Sequence, residues 1–298
     1  MNAIASPGRG ILLFVSAMAI FAIQDGITKN ISNLYSPAQI LMVRYAVFVL
    51  LAALIATRKG TFRASLRSNR PVLQVVRSVV VITESAFFVL AVQTMPLADA
   101  HAIIASTPLF VTAMAMFFLH EQVGVRRWTA VIVGFGGILI ILRPGTGVVE
   151  PSALFALATA VGYALYIVLT RLVGQTDTAE TSTMYMGFTG FLLAAIVAPF
   201  FWTTPDLAGW GQMAAISIMA ATAHIFLIMA LQRAQASVLQ PFSYMLLVWA
   251  TIVGFVFFGD LPDTFTIIGA AIIVATGLYT IYREHIHKTK AVIVPPVK

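Results

Sequence analysis

The sequence predicts an all-α integral membrane protein of ten transmembrane helices, arranged as two inverted five-helix repeats with cytoplasmic N- and C-termini. Three observations carry that prediction. Of 298 residues, 60% are hydrophobic and only 10% charged, with a mean hydropathy of +0.94. A soluble globular chain carries about 25% charged residues and about 45–50% apolar ones. The apolar residues gather into continuous runs of roughly 20, the length that crosses a hydrocarbon core. Between the runs, Lys and Arg gather in every second segment, on one side of the membrane.

The runs fall at 10–29, 36–57, 71–94, 97–119, 127–143, 151–171, 181–201, 208–231, 236–258 and 264–282. The first is too long for a secretory signal, holds Asp25 and Lys29, and has no small-residue cleavage site behind it. The second and third carry Arg44, Arg77 and Glu84, and the fourth carries Pro108. The fifth holds Gly134, Gly136 and Gly137, which let helices approach closely. They are no nucleotide loop, because no soluble strand precedes them and no Gly-Lys-Ser/Thr follows. Trp128 opens the fifth run, and Trp202 and Trp210 flank the loop between the seventh and eighth, as interfacial anchors do. Continuous rather than alternating hydrophobicity excludes a β-barrel. The absence of cysteine removes thiol chemistry, zinc–cysteine sites and disulfides.

Charge sets the orientation. Of the 18 Lys and Arg, only Lys29 and Arg143 fall on the outer side of this topology, and Arg44 and Arg77 fall inside helices. The rest, from Arg58, Lys59, Arg63, Arg67 and Arg70 to Arg171 and Arg233, share the side of the N-terminus, so that side is cytoplasmic. The net charge of +7 is therefore an orientation signal and not a sign of nucleic-acid binding.

An internal repeat is visible. Leu50–Ala56 (LLAALIA) resembles Leu192–Ala198 (LLAAIVA), 142 positions on, and the same offset sets Thr28-Lys29 on Thr170-Arg171. At an offset of 139, Phe118 and Glu121 match Phe257 and Asp260. Pro144, Gly145, Gly147 and Pro151 mark a turn between halves. The division is 1–146, then 147–285, then a basic tail at 286–298 to which no structure is assigned. Five helices per half invert the second half, the plan of many alternating-access transporters.

The fourth and fifth runs read Pro108, His120-Glu121, then Gly134, Gly136 and Gly137. The ninth and tenth read Ser243 through Ala250, Gly259-Asp260, then Gly269 and Gly277. This resembles the EamA-type permeases of the drug/metabolite transporter superfamily, over nearly the whole chain. Leu247 stands where that family often has proline, and His120 where it often has glycine. The resemblance implies ten helices in inverted repeats and export or exchange of small metabolites. Among these, amino acids, aromatic ones included, are prominent, and the sequence looks closest to that branch.

Ionisable groups within a bilayer are costly and face the bundle interior or water. Glu84, Arg44 and Asp25 are the candidate charged cluster. Glu84 would hold a substrate ammonium or a coupling proton, and Arg44 a carboxylate through paired hydrogen bonds. The competing reading is that Arg44 and Glu84 neutralise each other and fix their helices. Arg77 shares the Glu84 face and either joins the cluster or snorkels to the cytoplasmic surface. Gln24, Tyr45, His101, Tyr163, Tyr166, Tyr244 and Trp249 are the remaining candidate cavity residues, because amphipathic rings supply both apolar area and a hydrogen-bonding edge. Pro108, Pro241 and Ser243 are candidate hinges. His224 reads as a packing residue.

The function expected is a secondary transporter of the bacterial inner membrane for amino acids and similar metabolites. It has no catalytic residues, metal or cofactor. Its partners are a small-molecule substrate and the lipid bilayer, with oligomeric state left open. Drug, nucleoside and sugar-phosphate transport remain alternatives within the fold. A channel or a membrane enzyme is the alternative outside it.

Overall fold

The computed structural model describes residues 7–118, 125–143, 151–233 and 239–293. Regular structure among them is helical throughout. The helices are α1 (Pro7–Ser32), α2 (Pro37–Arg58), α3 (Phe62–Ser65), α4 (Pro71–Thr94), α5 (Leu97–Ile104), α6 (Thr107–Phe118), α7 (Val125–Leu142), α8 (Pro151–Val173), α9 (Ala179–Val197), α10 (Leu207–Arg233), α11 (Met245–Phe258) and α12 (Thr264–Ile293). Six stretches among the described residues are long and apolar enough to cross a membrane, and three shorter apolar helices accompany them.

Local chemistry sets the helix ends. Proline opens α2, α4 and α8, where its missing N–H costs nothing. Ser36 caps α2 by accepting from the Gln39 N–H at 3.2 Å, and Thr178 caps α9 through Thr181. Gly259, at φ +72°, takes the left-handed turn that ends α11.

Three apolar runs differ from single straight helices. The fourth is split into α5 and α6 by a turn at Ala105–Ser106. Pro108 cannot donate to the Ile104 carbonyl one turn back, so the ladder stops there. The Thr107 hydroxyl takes that carbonyl instead, at 2.7 Å. Within the ninth run a 3₁₀ turn, Gln240–Tyr244, containing Pro241, precedes α11. The tenth continues as helix to Ile293, into the tail expected to lack structure, because no proline intervenes before Pro295. His120-Glu121 and the 146/147 division lie outside the described residues.

The packing follows a pattern. The helix α1 lies against α10 and α11, α4 against α8, α2 against α9, and α7 against α12. The pair α5–α6 also packs on α8. Exchanging α1, α2, α4, α5–α6 and α7 with α8, α9, α10, α11 and α12 maps this set onto itself: α1–α10 becomes α8–α4, and α1–α11 becomes α8 on α5–α6. Small residues permit the closest of these contacts. A Cβ added at Gly137 of α7 would stand 2.9 Å from the Gly269 carbonyl of α12.

Contacts between distant segments sort into two ends. At the end rich in Lys and Arg, Lys59 pairs with Glu180 at 2.9 Å and the Asn69 side chain donates to the Thr176 carbonyl at 2.7 Å. At the other, Lys29 pairs with Asp260 at 2.9 Å, Gln39 donates to the Thr203 carbonyl at 2.7 Å, and Arg143 meets Asp263. The helix α8 runs antiparallel to α4, with Thr170 beside Arg77 and Thr159 beside Glu84. Since α1 and α4 both end where Lys29 meets the Met95 carbonyl, α1 and α8 run in opposite directions.

Candidate functional site

The interior carries two groups of buried polar side chains. The first joins α1 to α5. Asp25 Oδ2 and His101 Nε2 share a hydrogen bond at 3.1 Å, and both residues are buried. Gln24 Nε2 donates to the other Asp25 oxygen at 3.4 Å, and the Phe88 ring lies 5.6 Å from the His101 ring. The helix break before Pro108 follows His101 by one turn, so the dyad sits beside an interrupted helix.

The second group joins α4 and α2 to α8 and α9. Glu84 is pressed against α8 where Gly162 leaves room: a Cβ there would stand 2.7 Å from the Glu84 Cβ. Its carboxylate accepts from the Ser85 hydroxyl at 3.1 Å. Thr159 of α8 donates to the Glu84 carbonyl at 3.3 Å. Tyr45 is buried among Leu41, Ile82 and Ala194, with Gly190 of α9 against its ring. Arg44 is near enough to act electrostatically on Glu84, Tyr45 and His224. The direct Arg44–Glu84 ion pair expected as one reading is not formed. Equal depth does not fix the rotation of two helices about their axes.

Tyr163 and Tyr166 stack on α8 at 6.0 Å between ring centroids. Tyr163 exposes 42% of its surface. Tyr166 is covered by Arg77, whose guanidinium lies 5.3 Å from its ring centroid. Arg77 does not snorkel. It is 2% exposed and donates to the Ser182 carbonyl of α9 at 2.6 Å. Sequence reasoning missed this, because its main acceptor is a backbone carbonyl in the other half of the chain.

The remaining candidates lie apart from this second group. The Tyr244 hydroxyl rests on Gly277 of α12, away from α4 and α8. Trp249 of α11 packs on two apolar clusters that include α1 residues. The Tyr244 hydroxyl and the Trp249 indole nitrogen have no hydrogen-bond partner among the described residues. Pro241 and Ser243 lie in the 3₁₀ turn before α11, and Pro108 lies just past the break in α5–α6. His224 bonds to the Ala220 carbonyl of its own helix at 2.8 Å and meets Phe21 and Phe48 edge-on.

Both ends of the bundle are tied. At the basic end Asp177, between α8 and α9, collects Ser68, the Asn69 N–H at 2.8 Å and Gln74 at 2.9 Å. Slight burial works against its charge, but the hydrogen bonds from Ser68, Gln74 and Asn69 prevail and hold the carboxyl below its ordinary range. At the opposite end Lys29 also donates to the Met95 carbonyl at 2.9 Å and lies 5.0 Å from the Phe258 ring. Sequence had placed Lys29 and Asp260 only as loop charges on one side. Their opposite signs at the ends of the first and ninth runs were the available signal for a tie.

Comparison with known proteins fits this arrangement. The family described as EamA-like transporter family matches residues 8–143 and 151–283. The chain is 24% identical to the S-adenosylmethionine uptake transporter of Rickettsia conorii over 277 residues, 92% of this chain and 93% of that one. It is 26% identical to the riboflavin transporter of Vibrio cholerae, over 90% of this chain and 91% of that one. It is 27% identical to the pseudopaline exporter of Pseudomonas aeruginosa, over 89% and 93%. A solved crystal structure with 18% identity superposes with a TM-score of 0.61, over 90% of this chain and 94% of the other, which shows the shared fold. None of these relatives is named as an amino acid exporter, so the expected closeness to that branch is not carried by them. The chain belongs to the EamA-like transporter family, and it is a multi-pass transporter of the bacterial-type inner membrane and not an enzyme.

Proposed function

We propose that the chain is a ten-helix secondary carrier that moves amino acids and related small metabolites by alternating access. The halves are 1–146 and the inverted 147–285, followed by the tail at 286–298, with both termini cytoplasmic. The exchange pattern of helix contacts and the opposed directions of α1 and α8 support the inverted halves. The concentration of Lys and Arg at one end supports the orientation.

One observation carries the substrate reading. Glu84 and Arg44 act on each other electrostatically in the membrane interior, without forming an ion pair with each other or with any other described residue. A carboxylate and a guanidinium held this way suit the ammonium and carboxylate of an amino acid head group. Asp25, His101 and Gln24 line the neighbouring part of the interior, and Tyr45, Tyr163 and Tyr166 supply the aromatic wall. Pro108, Pro241 and Ser243 are the bending points. One relative's substrate fits this reading, since S-adenosylmethionine carries an α-amino acid group.

Purified protein in liposomes tests this reading with labelled neutral amino acids, S-adenosylmethionine and riboflavin. Saturable uptake with counterflow of an amino-acid-bearing solute is the expected result. No flux for any of them contradicts the substrate class. Uptake of riboflavin alone favours a second reading, transport of a large flat metabolite, which the stacked Tyr163 and Tyr166 rings support.

A further inference from the structure

Arg77 lies about 9 Å along α4 from the basic end, by the helical rise. It is 2% exposed. Every group that touches its cation is neutral: the Ser182 carbonyl at 2.6 Å, the Tyr166 and Thr170 hydroxyls at 3.4 Å, and the Tyr166 ring face. Its Nε has no hydrogen-bond partner among the described residues, and no carboxylate among them stands within ion-pair distance. A buried cation without a counter-charge is expensive, and a guanidinium presents paired N–H groups that match a carboxylate. Tyr163 is 42% exposed and stacks on Tyr166, and the Tyr166 ring lies against the Arg77 guanidinium, so the two rings lead from an accessible surface to the cation.

The Ser182 carbonyl belongs to the first turn of α9, across the half boundary from α4. It occupies the place that an anionic oxygen would take on the guanidinium. We propose that Arg77 is an anion-binding residue of the carrier: when α4 and α9 part at the basic end, a substrate carboxylate replaces the Ser182 carbonyl on Arg77. Tyr166 then holds the cation in place by its ring. This inference rests on the reading of the chain as a metabolite carrier and gives the substrate carboxylate a contact at Arg77 in the state parted at the basic end, distinct from the contact proposed at Arg44.

The test uses the full-length protein in liposomes, with labelled phenylalanine as substrate, phenethylamine as competitor and labelled S-adenosylmethionine as a second carboxylate-bearing probe. Phenethylamine keeps the ring and the ammonium and lacks the carboxylate. Arg77→Gln should raise the KM for phenylalanine or S-adenosylmethionine about tenfold or more, the loss of one charge-assisted contact. The inhibition constant of phenethylamine should stay unchanged. Arg77→Lys should recover part of the affinity, and its folding is checked by thermal unfolding. If Arg77→Gln does not fold, an unchanged KM in folded Arg77→Lys overturns the inference. Equal weakening of substrate and phenethylamine, or no change in either, also overturns it and leaves the carrier reading standing. No uptake of either carboxylate-bearing probe by the wild type overturns both together.

Discussion

The two polar regions of the interior meet the cost of buried charge in different ways. Between α1 and α5, Asp25 is satisfied by His101 at 3.1 Å and by Gln24. Between α2, α4, α8 and α9, Glu84, Arg44 and Arg77 lie in the same apolar bundle and form no ion pair among the described residues. The first region ties α1 to α5 through Asp25 and His101, with the Gln24 Oε1 left without a hydrogen-bond partner among the described residues. The second is, on the proposed reading, where a charged substrate group enters. Burial is common to both regions; an ion-pair partner among the described residues is what differs between them.

The largest expected effect comes from breaking the complete pair. His101→Ala strands the Asp25 carboxyl and should cost about 3 kcal/mol or more in stability. Thermal unfolding in detergent reads this, and Asp25→Asn in the same background should recover part of the loss. A stable His101→Ala protein would erase the distinction between the regions.

Glu84→Gln is the counterpart in the open region. It keeps the shape against Gly162 and removes the charge. Transport should fall at least about tenfold, equivalent to about 1.4 kcal/mol, while the unfolding temperature changes little. A protein that loses stability instead would make Glu84 structural, like Asp25.

Smaller effects sharpen the boundary between interior and ends. Thr107→Val removes the hydroxyl that takes the Ile104 carbonyl at the break in α5–α6. It should cost about 1 kcal/mol and loosen that break, visible as faster hydrogen exchange at residues 105–109. At the basic end the Asp177 carboxyl is held below its ordinary range. A depressed carboxyl contributes stability above the unfolded value, and that contribution is lost as pH falls through the folded value. The wild type should therefore lose a small amount of stability on acidification below about pH 4 that Asp177→Asn never has. Identical acid profiles would remove that tie from the account.

The sequence made the spans legible because hydropathy and length are one-dimensional properties. It made the two ends of the bundle legible because Lys59 falls at one and Lys29 and Arg143 at the other. Proline marked the interruptions: the α-helix breaks just before Pro108, and Pro241 lies in the 3₁₀ turn that precedes α11. Rotation about each helix axis was not legible. Arg44 and Glu84 share a depth yet form no ion pair with each other, and Tyr244 shares a run with Trp249 yet turns to Gly277. Arg77 was hardest to place, because its partners are a carbonyl at Ser182 and a ring at Tyr166, and neither leaves a charge pattern.

Counterflow in liposomes, comparing wild type with Glu84→Gln, decides whether Glu84 serves transport. With phenylalanine and S-adenosylmethionine as paired labels, the wild type should exchange at least one label saturably, and a folded Glu84→Gln protein should exchange it at least about tenfold more slowly. Exchange by Glu84→Gln at the wild-type rate would contradict that role.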